Sequence, residues 1–363
     1  VTVDADRLDE GISDASIDDA TRSDAQSDAA IADASIPADA APFRCGEGAL
    51  DVLFVVDPSV SLTNTLPATA LTSPAFFESL FSYPPLAPAD MHIGVISTSL
   101  GLNGAVYAAL NPSCAEHPFG DEAALQTASR GAGCAASHPA FLTYTSGDDV
   151  TVFASELTCA LQLPTLGCSV EQPLEAALRA LTPSTSPMRF AGGTTGQADL
   201  ANAGFRRPGA ALAIIVLSDE DDCSNDVADF FDPSAPYSPV ETRCATDTAL
   251  LQPISRYVDA YLALAPPERL AVVAVAGFPG GLDPTAFDSI RSDIGWRLEI
   301  LGSTVTPICD HDLPRYGAAP AFRLLDVVEG IMTSGGYGGA TSICSRSLRS
   351  ASSSVASTLW CVP

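Results

Sequence analysis

The chain has 363 residues, 47% of them hydrophobic, and a formal charge of −27 from 44 acidic residues against 17 basic ones, all of them arginine. That length holds one large domain or two smaller ones, and the apolar share supports a packed core. So acidic a chain is repelled by phosphate backbones and anionic lipid, which excludes nucleic acid as a partner, and it has no apolar run of about eighteen residues to form a transmembrane segment.

Residues 1–44 stand apart in composition. They hold ten Asp, one Glu and eleven Ala with three Arg and a single aromatic, Phe43. Self-repulsion and the lack of bulky apolar periodicity predict a disordered acidic tether. An acidic calcium-binding repeat is the sharper alternative, but the aspartates keep no fixed period. The compact domain is expected over 45–363. With Val1 first and no leader pattern, a mature or trimmed chain is expected, its targeting segment lost.

From Cys45 onward strands and helices alternate. Leu50–Asp57, Met91–Ser97, Phe141–Thr145, Ala211–Ser218 and Leu270–Ala276 are rich in Val, Ile, Leu and aromatics and read as strands. Helices are predicted over Ala75–Phe81, opened by Ser73-Pro74 as cap and first turn, and over Asp149–Leu161 and Pro173–Leu181. Further helices are predicted over Thr246–Leu264, Ala321–Ile331 and Leu348–Leu359. This alternation predicts an α/β fold, doubly wound, with a mostly parallel central sheet and helices on both faces. The stretch 100–140 is long, polar and rich in Gly and Pro, and reads as a cysteine-containing insertion.

Asp51–Ser61 reads DVLFVVDPSVS. A buried strand ends there in Asp57, Ser59 and Ser61. Open α/β sheets bind ligands beyond the carboxyl ends of their strands, and a carboxylate with two hydroxyls is a hard oxygen set suited to Mg²⁺, Mn²⁺ or Ca²⁺. Leu212–Asp222 repeats the logic with Asp219 at the end of a second apolar run. If the two strands are neighbours, Asp57 and Asp219 face one crevice. Glu220, Asp221 and Asp222 read as a solvated acidic turn.

LDVLFVVDPSVS (50–61), HIGVIST (92–98) and AIIVLSDEDD (213–222) resemble the first, second and fourth strands of the von Willebrand factor A domain family. VEQPLEAALRAL (170–181) resembles the helix after that family's second metal loop, and GATSIC (339–344) a final edge strand. The resemblance implies a Rossmann-like sheet and a metal-ion-dependent adhesion site built from Asp57, Ser59, Ser61 and Asp219. It departs at the second loop, where the family uses a threonine and this chain has Glu171-Gln172. Thr165 and Ser169 are nearby hydroxyl alternatives. Glu171 is either a ligand adding a third charge or part of a helix start, since Ser169-x-x-Gln172 forms a capping box before Pro173.

Ten cysteines with no CxxC and no Cys/His zinc spacing read as disulfides in an oxidising compartment. Pairing by proximity gives Cys114–Cys134, Cys159–Cys168, Cys223–Cys244, Cys309–Cys344 and Cys45–Cys361. His92, His117, His138 and His311 form no metal motif, and Cys309–Asp312 reads as a loop beside a disulfide.

The expected function is a non-enzymatic extracellular module of the bacterial secreted or lipoprotein type. Its divalent cation captures an acidic group on a protein or glycan partner, and the tether, lipid-anchored or not, holds it off a cell surface or within the periplasm. A metal-free surface protein with a decayed site is the alternative. Mg²⁺-dependent phosphoryl transfer through Asp57 is a third, with no lysine to neutralise the phosphate.

Overall fold

The computed structural model describes residues 48–59, 62, 90–104, 119–164, 170–293, 295–308 and 317–343. In chain order these form β1 (Ala49–Val56), β2 (Asp90–Ser97), β3 (Phe141–Thr145), α1 (Val150–Leu161), α2 (Pro173–Leu181), β4 (Ala211–Leu217) and α3 (Val240–Thr246). They continue as α4 (Ile254–Leu264), β5 (Leu270–Ala276), α5 (Phe287–Ser292), β6 (Ile300–Leu301), β7 (Thr304–Val305), α6 (Phe322–Thr333) and β8 (Tyr337–Ser342). The expected tether, the helices Ala75–Phe81 and Leu348–Leu359, Ser61, and the pairs Cys45–Cys361 and Cys309–Cys344 lie outside the described residues.

Six strands form one sheet in the order β3-β2-β1-β4-β5-β8. All neighbours run parallel except β3, which pairs antiparallel with β2 at the edge. The α/β expectation therefore holds. Among the described residues no helix is long and apolar enough to cross a membrane.

Every residue of β4 and β5 is buried, as the centre of a parallel sheet covered on both faces requires. The pleat divides β1 between two cores. Val52, Phe54 and Val56 join Phe153, Leu157 and Leu161 of α1 on one face, while Leu53 and Val55 meet α2, α4 and α6 on the other. Each such side chain taken fully out of water contributes about 1.5–3 kcal/mol.

The expected helix over Thr246–Leu264 is two pieces. α3 ends at Thr246, and α4 begins only after Pro253, because a proline disfavours helical geometry in the residue before it, here Gln252. Asp149, the first residue of the predicted helix, stands just outside α1 and caps it, accepting from the Thr151 and Val152 N–H groups.

The disulfide pattern is corrected in one place. Cys223–Cys244 forms as expected, but Cys134 pairs with Cys159 across 5.6 Å between Cα atoms, replacing both Cys114–Cys134 and Cys159–Cys168. Nearness along the chain misled the pairing. The insertion folds back onto the far end of α1, where the Arg130 N–H donates to the Gln162 carbonyl.

At the amino end of β1 the fully buried Asp51 accepts from Arg206 at 2.9 Å, and from the Arg207 Nε and backbone N–H at 2.7 Å each. This ties the approach to β4 onto the base of β1. Asp51→Ala is expected to cost about 3 kcal/mol, since the partly buried Arg206 loses its counter-ion and Arg207 is left with Asp90 alone; urea denaturation measures it. Peptide mapping without reduction should recover a Cys134–Cys159 linkage, and a Cys159–Cys168 peptide would contradict this fold.

Candidate metal centre

The crevice lies where β1 leaves off between β2 and β4, the point at which the sheet's strand order reverses. The Asp57 N–H donates to the Leu217 carbonyl at 2.9 Å, and the Thr98 N–H to the Val56 carbonyl at 3.1 Å. The ladders thus run one residue past each strand, and Asp57, Thr98 and Ser218 line the carboxyl edge of three adjacent strands.

Asp57 is buried and fixed from two sides. Its Oδ1 accepts from the Ser59 N–H at 2.7 Å and its Oδ2 from the Ser218 hydroxyl at 3.1 Å. The Ser59 hydroxyl in turn accepts from the Leu62 N–H at 3.3 Å, so the turn after Asp57 is closed by its own side chains. Ser61 lies outside the described residues.

Glu171 enters the same crevice from the segment before α2. The Gln172 N–H donates to the Thr98 carbonyl at 3.0 Å and the Cys223 N–H to the Glu171 carbonyl at 2.8 Å, pinning this segment between β2 and the loop after β4. The Thr98 hydroxyl donates to Glu171 Oε2. Glu171 Oε1 is buried and has no hydrogen-bond partner among the described residues. Burial first, then the Asp57 and Glu220 charges, with a smaller contribution from Asp219, push the Glu171 carboxyl well above the usual carboxylate range, against the opposing Thr98 hydrogen bond.

Asp219 is buried, and its carbonyl accepts from the Ala319 N–H at 2.8 Å. Asp57 and Asp219 are each within electrostatic reach of Glu171. Glu220 is exposed, as a solvated turn residue should be. Desolvation at the crevice mouth and then the Asp57 charge raise its carboxyl, an effect that contact with water moderates.

Asp221 and Asp222 overturn the reading of a solvated turn. Asp221 accepts from the Arg323 and Leu324 N–H groups at 3.0 and 3.2 Å and so caps α6. Asp222, buried, accepts from the Leu174 N–H at 3.1 Å, from the Ser224 hydroxyl at 2.6 Å and from Arg323 Nε at 3.1 Å. The cap of α2 therefore comes from a loop some fifty residues away. This also overturns the capping box: Gln172 is itself the cap position, makes no side-chain cap bond, and sends its Nε2 to the Gly101 carbonyl at 3.0 Å.

Thr98 and Ser218 were not assigned a role from sequence. The available signal was position, since each is the first polar residue after a buried strand, as Asp57 is.

Among the described residues, no group of three or more His, Cys, Asp or Glu side chains is gathered as a metal-ligand set. A cation here would draw on serine hydroxyls and water to fill its shell. The donors fit a hard cation on one observation. A buried carboxylate oxygen has no hydrogen-bond partner among the described residues while other carboxylates lie within electrostatic reach, an arrangement that calls for a proton or a metal. No family model and no curated protein matches the chain.

Asp222→Ala removes the cap of α2 and the buried counter-ion of Arg323 together, and should lower stability by about 3–5 kcal/mol. Asp221→Ala, which removes a cap alone, should cost about 1 kcal/mol. Paired thermal and urea denaturation of the two variants gives the order.

Proposed function

We propose that the chain is a non-enzymatic binding module of the von Willebrand factor A type. A divalent cation, Mg²⁺, Mn²⁺ or Ca²⁺, held by Asp57, Ser59, Ser61 and Asp219 with Glu171, takes an acidic group of a protein or glycan partner into its shell. The observation that carries this reading is the buried Glu171 Oε1, without a hydrogen-bond partner among the described residues, on a carboxylate within electrostatic reach of Asp57 and Asp219 near the switch point. The family reading draws support from the sheet, because the three strands that bear the resemblance are β1, β2 and β4, and they are neighbours.

Asp57 and Glu171 differ in how they are held. Asp57 is oriented by a backbone N–H and a hydroxyl before any ion arrives. Glu171 is anchored through Oε2 by Thr98, which leaves Oε1 as the donor to the ion. A third carboxylate binds the ion more tightly and lowers its remaining charge, so affinity for a partner's carboxylate falls as affinity for metal rises. The disulfides accord with an oxidising compartment, such as a bacterial surface or the periplasm. Residues 1–44, lipid-anchored or free, then serve as a spacer.

Calorimetric titration of Mg²⁺, Mn²⁺ and Ca²⁺ into chelated protein is the test. The wild type should take up about one ion per chain and gain thermal stability. Asp57→Ala should abolish the heat, and Glu171→Gln should weaken binding by about tenfold or more. A wild type that gives neither heat nor thermal shift would falsify the proposal, and binding that survives both Asp57→Ala and Asp219→Ala would move the metal elsewhere.

A further inference from the structure

Three of the six exposed large apolar side chains among the described residues fall within four positions: Leu298, Ile300 and Leu301, the last 79% exposed. Ile300 and Leu301 belong to the hairpin β6–β7, in which Ile300 faces Val305 and Leu301 faces Thr304, and Leu298 lies just before it. Gly302, at φ 67°, makes the tight reversal between them. The Thr306 N–H donates to the Glu299 carbonyl at 2.8 Å and closes the base.

Both feet of the hairpin stand at the rim of the metal crevice. Before it, Trp296 donates its indole N–H to the Gly277 carbonyl at 2.9 Å, just past the carboxyl end of β5, and packs against Phe322 at the start of α6. After it, the Ile308 N–H donates to the Ala318 carbonyl, and the next residue, Ala319, donates to the carbonyl of Asp219. A side chain at Gly277 would run into the Ala319 carbonyl, so the two feet are packed together. α3 braces β7 from the side and carries Cys244, the disulfide partner of Cys223 beside Asp222.

We infer that the β6–β7 hairpin is a docking arm for a protein partner, which seats Ile300 and Leu301 in an apolar pocket while its acidic group reaches the cation. The second half of that contact rests on the function proposed above. The occupant follows from chemistry. Sugars stack on aromatic rings, and this tip offers none among Ile300, Leu301, Ser303 and Thr304, which disfavours a glycan. The arm's one pair of opposite charges, Arg297 and Glu299, is matched at 2.9 Å, so it brings no basic excess to a membrane. A net charge of −27 opposes both an anionic lipid surface and a second copy of the chain. A protein neutral or basic overall, with an apolar pocket beside a carboxylate, meets every condition.

The experiment pans a displayed library of random peptides on the full chain with Ca²⁺ present. Enriched peptides are then titrated into wild type, Ile300→Ser/Leu301→Ser and Asp57→Ala. Both hairpin positions are exposed, so the double variant should keep its thermal midpoint and its calorimetric cation heat. The expected result is a set of peptides joining apolar residues to an Asp or Glu, with affinity about tenfold to a hundredfold lower for the hairpin variant. Peptides that bind the hairpin variant as well as wild type, or no enrichment at all, overturn the inference. So does hairpin-dependent retention on phosphatidylcholine vesicles or a hairpin-dependent dimer in ultracentrifugation. Hairpin-dependent binding that survives Asp57→Ala and chelation keeps the docking arm and overturns the cation reading instead.

Discussion

The carboxylate of Asp222 sets the geometry of the crevice. It caps α2, binds Arg323 at the start of α6, and closes the turn at Ser224. Glu171 lies two residues before α2 and Asp219 three residues before Asp222, so both inherit their positions from that one buried group. A buried carboxylate is tolerable only when its oxygens are fully engaged. Here the engagement of one acid lets two others be held close together. Arg323 completes the arrangement by donating also to the Gln252 carbonyl at 2.7 Å, which brings in the approach to α4.

A cost is concentrated on the other side of the same loop. Asp57, Glu171 and Asp219 are buried at one sheet edge, and burial and mutual repulsion both favour the neutral form of Glu171. Hydrogen bonds from Ser218 and the Ser59 N–H fix the Asp57 carboxylate in place, and the Thr98 hydroxyl engages one oxygen of Glu171. The remaining oxygen is left to a proton or an ion. A fold that needed only stability would fill this space with apolar side chains, which are often as stable as buried charge. The proposed cation site gives a reason for retaining acids here.

Much of this was legible in the sequence where one residue type has one use. β1 and β4 are short apolar runs with abrupt polar ends, and β5 is one that ends in Gly277, so the strands and the residues at the tips of the first two, Asp57 and Asp219, were readable in advance. α2 was readable from Pro173 and the leucines behind it. What the sequence hid was long-range pairing. Asp221 and Asp222 look like a solvated turn because acid runs usually are solvated, and only the fold brings two helix starts to meet them. The Cys134–Cys159 link was hidden for the same reason, since its loop returns to the far end of a helix. Thr98 was in view at the end of β2, but its partner Glu171 lies 73 positions away. The hairpin β6–β7 is two residues per strand, too short for any alternation to register.

The central claim is that the buried acids of the crevice hold a cation. A crystal of the full chain grown with Mn²⁺ and measured for anomalous scattering tests it directly. The account predicts one strong peak bonded to Asp57 and to Glu171 Oε1, at about 2.0–2.6 Å as expected for oxygen ligands of hard divalent ions. A crevice without a peak, or a peak bound only by residues of the acidic tether, contradicts it.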